Sequence, residues 1–227
     1  MTVLFLLLML TVFLTADHFV QRFRARKMGL VVRERVASVL DSFNRIPAGI
    51  ELALNHTWLK RDAGSVVTVG LDEFITKFFG SVGRIVLPEA GLSGGKILIE
   101  DGERSLALAL PVRGRVVAVN TRILNTPSAA HDDPYGSGWL VQIQPDPGES
   151  RRTLVAPQAL QWLKEQAALA RDFFAGKSGA GEFAMMQDGG NLVDGILKLY
   201  DGAVWAEFRD QFLTVPADDA AGANGTT

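Results

Sequence analysis

His131, Asp132 and Asp133 put an imidazole and two carboxylates in consecutive positions, residue types that bind metals or exchange protons in catalysis. They fall in a stretch from 127 to 138 that opens on proline and closes on glycine, so a solvated loop is favoured over a reactive cluster. Gly176-Lys177-Ser178 has the ending of a phosphate-binding loop. Such a loop needs another glycine five positions before Gly176, where Arg171 stands, and must follow a strand, whereas a helical pattern precedes this one. His56, two residues before Trp58, fits a packed strand with a hydrogen-bonded imidazole. His-Glu-x-x-His does not occur. The sequence has no cysteine and only 3 histidines, at 18, 56 and 131. That excludes a disulfide framework, Cys-ligated zinc, cysteine-bound iron–sulfur clusters and thiol nucleophiles, and argues against a histidine-rich metal site. The expectation is a protein that is not an enzyme, with no catalytic residue, no metal and no cofactor.

Charge narrows the partners. A formal net charge of −2 and a pI near 5.9 do not suit a polyanion binder, and no nucleic-acid motif is present. Local basic spots remain: Arg113 and Arg115 in a turn, and Arg151-Arg152 beyond the last long strand pattern. Solvated arginines are the default reading; the functional one is contact with anionic headgroups or an acidic partner surface.

These residues need elements to hold them. The 227 residues, 48% hydrophobic and 21% charged, suit one domain with appendages. Residues 3–16 are apolar except for Thr11 and Thr15, and a helix from Thr2 to Val20 would span roughly 28 Å, close to a bilayer core. Arg22, Arg24, Arg26 and Lys27 follow at once. This order is the reverse of a cleavable signal peptide and places the N-terminus outside by the positive-inside rule. We therefore expect a single-pass anchor in the inner (cytoplasmic) membrane over 1–27, with the rest of the chain cytoplasmic. Asp17, near the cytoplasmic end, reads either as an interfacial residue within reach of Arg22 or His18, or as a contact with another membrane subunit.

Residues 28–49 carry a helical period in Val32, Val36, Leu40 and Phe43 and read as a connector. From 50 to 150 the pattern is short strands punctuated by glycine and proline. The clearest is a hairpin in which Ile97-Leu98-Ile99 and Leu106-Ala107-Leu108-Ala109-Leu110 flank an Asp101-Gly102 reversal. A short helix is expected over 71–79, ended by Gly80. Beyond Pro157 the period turns helical: one stripe through Leu160, Leu163, Ala167, Ala170 and Phe174, one through Leu192, Ile196 and Leu199, and one through Trp205, Phe208 and Phe212. The last stripe reads as core or as a docking face for a partner. Residues 151–215 form a helical extension, and 216–227 a small, polar tail.

The blocks His56-Thr57-Trp58, Thr68-Val69-Gly70-Leu71-Asp72-Glu73-Phe74, Leu87-Pro88-Glu89-Ala90-Gly91, Pro111-Val112-Arg113-Gly114 and Asp133-Pro134-Tyr135-Gly136 occur in that order and at matching spacing. Together they resemble the glycine cleavage system H-protein over about residues 50–145, and more weakly through 154–165. The resemblance implies a lipoyl-type β-sandwich; with the N-terminal transmembrane helix and the C-terminal helices read from the hydropathy pattern, the expectation is an α+β chain. In that family a lysine at a hairpin tip, eight positions before the proline of the Pro-x-x-Gly turn, carries lipoate. Here Glu103 holds that place, with Arg104 beside it, and no lysine occurs between Lys96 and Lys164. Neither side chain can form the amide that lipoylation requires.

The resulting expectation is a non-catalytic, membrane-anchored scaffold or accessory subunit of a membrane electron-transfer complex, respiratory or photosynthetic. Its partners would be integral-membrane subunits and membrane lipids, with Asp17, Arg22, Arg24, Arg113, Arg115, Trp205, Phe208 and Phe212 as contacts. The alternative is a tethered ligand-binding module or an accessory of lipoate and one-carbon metabolism.

Overall fold

A computed structural model describes residues 46–62, 64–149, 151–177 and 195–214. The anchor over 1–27 with Asp17, Arg22 and Arg24, the connector helix through Phe43, Leu192 and the tail lie outside the described residues. Among the described residues no helix is long and apolar enough to cross a membrane.

The strands are β1 (Ile50–Leu52), β2 (Thr57–Arg61), β3 (Val67–Leu71), β4 (Arg84–Val86), β5 (Lys96–Asp101), β6 (Arg104–Ala109), β7 (Gly114–Val119), β8 (Val141–Pro145) and β9 (Leu154–Val155). They form two antiparallel sheets, one in the order β7-β8-β3-β2-β1-β9 and one in the order β4-β5-β6. Alternation decides which side chains turn inward. In β6, Leu106 and Leu108 are buried while Ser105, Ala107 and Ala109 are exposed; in β5, Ile97 and Ile99 face the same core.

Helix α1 (Glu73–Phe79) follows β3 and begins where Asp72 accepts a hydrogen bond from the Ile75 amide at 3.1 Å. It ends at Gly80, whose amide bonds back to the Thr76 carbonyl. Two short helices, α2 (Thr121–Asn125) and α3 (Ala129–Asp132), connect β7 to β8. Helix α4 (Gln158–Ala175) buries Leu163, Ala167, Ala170 and Phe174 of the stripe read from the sequence, while Leu160, its first member, is only half-buried. After it come a short 3-10 helix (Ile196–Leu199) and α5 (Gly202–Phe208), which runs into a π-helical turn (Arg209–Leu213).

The structure corrects the reading of boundaries. Residues 127–138 contain α3 rather than a plain loop, because Ala129 and Ala130 are buried and hold that turn against the body. The sheet begins at residue 50, where the strand region was expected to start, but ends later: β9 lies past residue 150, where it pairs with β1 through Glu51–Val155 and Leu52–Leu154. Strands of three and two residues are too short to show an alternating pattern.

One aromatic cluster joins the helices to the sheets. Phe74 and Phe78 of α1, Phe174 of α4 and Phe208 of α5 stack or tilt against one another at centroid distances of 4.4–5.9 Å.

Candidate functional site

The β5–β6 hairpin is in continuous register from Lys96–Ala109 to Asp101–Arg104, so its loop shrinks to Gly102 and Glu103. Gly102 has φ +62°, the left-handed value that the first position of a tight hairpin turn requires and glycine accepts without strain. Glu103 is exposed at the tip.

The base of the tip is held from three sides. Arg84 on β4 lies 3.3 Å from Glu100. Lys198 of the 3-10 helix lies 3.3 Å from Asp101 and also donates to the Ser81 carbonyl. Arg104 donates to the Tyr200 carbonyl. The segment after residue 195 therefore straps the hairpin beside its tip.

The outward face of β6 carries only small side chains, Ser105, Ala107 and Ala109, and this leaves a groove of about 510 Å³. Its second wall comes from the end of the described chain, with Arg209, Leu213 and Thr214. Lys96, Arg151 and Arg152 also line it.

Beneath the sheet, His56 and Asp72 are fully buried and 2.8 Å apart, Nδ1 to Oδ2. The imidazole stacks between Phe74 at 4.1 Å and Trp162 at 4.7 Å, so the hydrogen-bonded, packed histidine read from the sequence is found. Its Nε2 has no hydrogen-bond partner among the described residues. Trp58 donates to the Pro134 carbonyl at 2.9 Å, and Gly70 must lack a side chain because a Cβ there would sit 2.5 Å from the indole. Two sequence blocks far apart in the chain thus meet at one ring. Nearby, burial raises the Glu73 carboxyl above its ordinary range, opposed by Lys77 and reinforced by Asp72. Burial likewise raises the Tyr135 hydroxyl, with Asp72 and Glu73 adding to it.

The expected contact residues separate into two groups. Arg113 and Arg115 are exposed, as a surface contact requires. Trp205, Phe208 and Phe212 are corrected: they are 6%, 0% and 6% exposed, packed into the protein's own aromatic cluster, and offer no free ring face to a partner. The His131–Asp133 set does not converge on a site. His131 lies 3.3 Å from Asp132, whereas Asp133 accepts from the Ser137 amide at 2.7 Å and closes its own loop. Among the described residues no cluster of His, Asp and Glu is arranged to hold a metal ion. Lys177 pairs with Glu207 and lies over the Phe173 ring at 4.6 Å, which makes it a tie between α4 and α5.

Sequence reasoning missed three residues. The Asp72 cap could have been seen, as an aspartate directly before a helical run. Lys198 and Arg209 gave no sign, because their places depend on how the C-terminal segment folds back.

Comparison with known proteins places this arrangement. The family model described as "Glycine cleavage H-protein" matches residues 51–167. The glycine cleavage system H protein of Neisseria meningitidis serogroup C is 31% identical over 120 residues, covering 51% of this chain and 94% of that protein. The H protein of Mycobacterium leprae is 36% identical over 102 residues, covering 43% of this chain and 77% of its own. A crystal structure of the H protein from Mycobacterium marinum is 27% identical and covers 52% of this chain and 98% of that one, with a TM-score of 0.47. The Lys198 strap and the groove wall at Arg209–Thr214 lie beyond the matched residues. With the family model spanning just over half of its 227 residues, this chain belongs to the glycine cleavage H-protein family.

Proposed function

We propose that this chain is a non-catalytic family member that has lost the carrier role and works as a membrane-tethered scaffold or accessory subunit. The observation that carries the reading is the hairpin tip, where Gly102-Glu103 offers a carboxylate and no amine. An acyl group held as an amide needs a nucleophilic nitrogen, and an exposed carboxylate supplies none. The ammonium that reaches the hairpin beside its tip, that of Lys198, is drawn to Asp101 and the Ser81 carbonyl. A hairpin strapped at its base also suits a fixed surface better than a mobile arm.

The tether is the apolar stretch 3–16 followed by Arg22, Arg24, Arg26 and Lys27, which places the H-protein-like domain at the cytoplasmic face. The exposed Arg113 and Arg115 serve as surface contacts, toward an acidic subunit or anionic headgroups. The assembly proposed is an integral-membrane electron-transfer complex, in which any redox group belongs to the partners.

Mild-detergent extraction of native membranes tests this, with capture on a C-terminal tag, an absorption spectrum and an intact mass. Unmodified protein recovered at near-fixed ratio with integral-membrane subunits and their chromophores is the expected result. A lipoyl mass increment on any lysine, Lys198 included, or recovery with lipoate-handling enzymes alone, would overturn it.

A further inference from the structure

The groove along β6 has a charge pattern that the scaffold reading does not use. Lys96, Arg151, Arg152 and Arg209 line it, and among the described residues no aspartate or glutamate does. Glu149 lies 3.2 Å from Arg151, and Asp210 lies 2.7 Å from Arg209, both from outside the lining. Lys96 and Arg152 have no side-chain partner among the described residues. A cleft lined by one sign of charge concentrates its field on an incoming counter-ion, and the mutual repulsion of its walls is relieved when that ion binds. Guanidinium forks match a carboxylate or phosphate head in particular.

The rest of the groove is mainly apolar, with Asn55, Ser105 and Thr214 as its polar members. Ala107 and Ala109 on the outward face of β6 form the floor, and Leu54, Pro111 and the buried Leu213 also line it. Ser105 to Ala109 gives this floor a length of about 13 Å at the usual strand rise. A volume of about 510 Å³ lies within the ordinary range for small-molecule sites. Register places the head end: Lys96 is opposite Ala109, away from the hairpin tip. Leu154, which pairs with Leu52 of β1, ties the segment just after Arg152 next to residues 53–55 on the same side.

We propose that this groove binds a soluble single-chain anionic amphiphile, its carboxylate or phosphate head at Lys96 and Arg152 and its chain along the β6 alanines toward Leu213. The site depends on residues beyond the family match. Its readout is occupancy of the groove, so its failure leaves the non-carrier reading standing, and the reverse also holds.

The test uses the full chain in its native membranes and a diazirine-bearing decanoate, with crosslinked peptides mapped by mass spectrometry. Labelling at 105–111 and 209–214, competed by decanoate but not by decanol or decyltrimethylammonium, is expected. In a K96E/R152E variant with an unchanged melting midpoint, labelling should fall about tenfold or more, the scale of one lost charge-assisted contact. Labelling elsewhere, equal labelling of that variant, or equal competition by the cationic amphiphile overturns the proposal. Competition by phosphatidylglycerol vesicles alone would assign the site to the bilayer and also overturn it. So would labelling seen only in a D218N/D219N variant, since the chain's own acidic tail would then fill the groove.

Discussion

The ammonium of Lys198 lies 3.3 Å from the Asp101 carboxylate, which ties a segment outside the family match to the residue next to the hairpin loop. The same side chain donates to the Ser81 carbonyl, and Arg104 returns the tie by donating to the Tyr200 carbonyl. The loop before β4 and the segment of the 3-10 helix and Tyr200 are thus tied to one hairpin, β5–β6.

Lys198→Met should loosen that hairpin more than it unfolds the protein. The ion pair is partly exposed, so its loss costs about 1 kcal/mol or less. Hydrogen exchange should accelerate a few-fold at the β5 and β6 amides while those of β2 and β3 keep their protection. Unchanged exchange in the hairpin would show that the strap carries no restraint.

His56 and Asp72 form the most deeply buried polar pair described, and Asp72 also caps α1. Asp72→Ala removes one helix cap, worth about 1 kcal/mol, and strands the imidazole between Phe74 and Trp162. Leaving the buried imidazole without its hydrogen-bond partner costs about 1–3 kcal/mol more. Urea denaturation should therefore show a loss of several kcal/mol. A loss below about 1 kcal/mol would mean that the carboxylate acts only as a cap.

What the sequence made legible followed local rules. The period-two pattern through Leu106 and Leu108 and the Asp101-Gly102 reversal identify β6 and its turn, because both signals arise within a few residues. His56 and Trp58 were correctly read as packed side chains. The stripe through Trp205, Phe208 and Phe212 showed a helical face but not what covers it, since periodicity is the same for a core and a docking face. The groove was hidden for another reason. Its cations come from 96, 151, 152 and 209, positions that only the fold brings together.

Glu73 provides a pH test. Its carboxyl holds a proton more tightly in the folded protein than in the unfolded chain, mainly because it is buried. Ionising it therefore costs the folded state stability. The penalty is absent below the ordinary value of 4.5, grows as pH rises toward the elevated folded value, and is complete above it. Glu73→Gln, which cannot ionise, should be more stable than the wild type at neutral pH and lose that advantage in acid. Melting midpoints of both proteins across that range check the sign; a wild type that is more stable at neutral pH would show that the pairing with Lys77, at 3.8 Å, outweighs burial.

Phe208 separates the two readings of the C-terminal aromatics. It is fully buried and meets Phe74, Phe78, Phe173, Phe174 and Phe212 at centroid distances of 4.7–5.9 Å. Phe208→Ala should cost about 3–5 kcal/mol, because neighbours from α1, α4 and the π-helical turn cannot all collapse into the space. Arg113→Glu, at an exposed position, should leave stability within about 0.5 kcal/mol. Comparing denaturation midpoints with recovery of membrane partners on a tagged chain makes the distinction. Lost recovery with intact stability is expected for Arg113→Glu, and lost stability for Phe208→Ala. A stable Phe208→Ala that no longer recovers partners would return the stripe to the surface and contradict its place in the core.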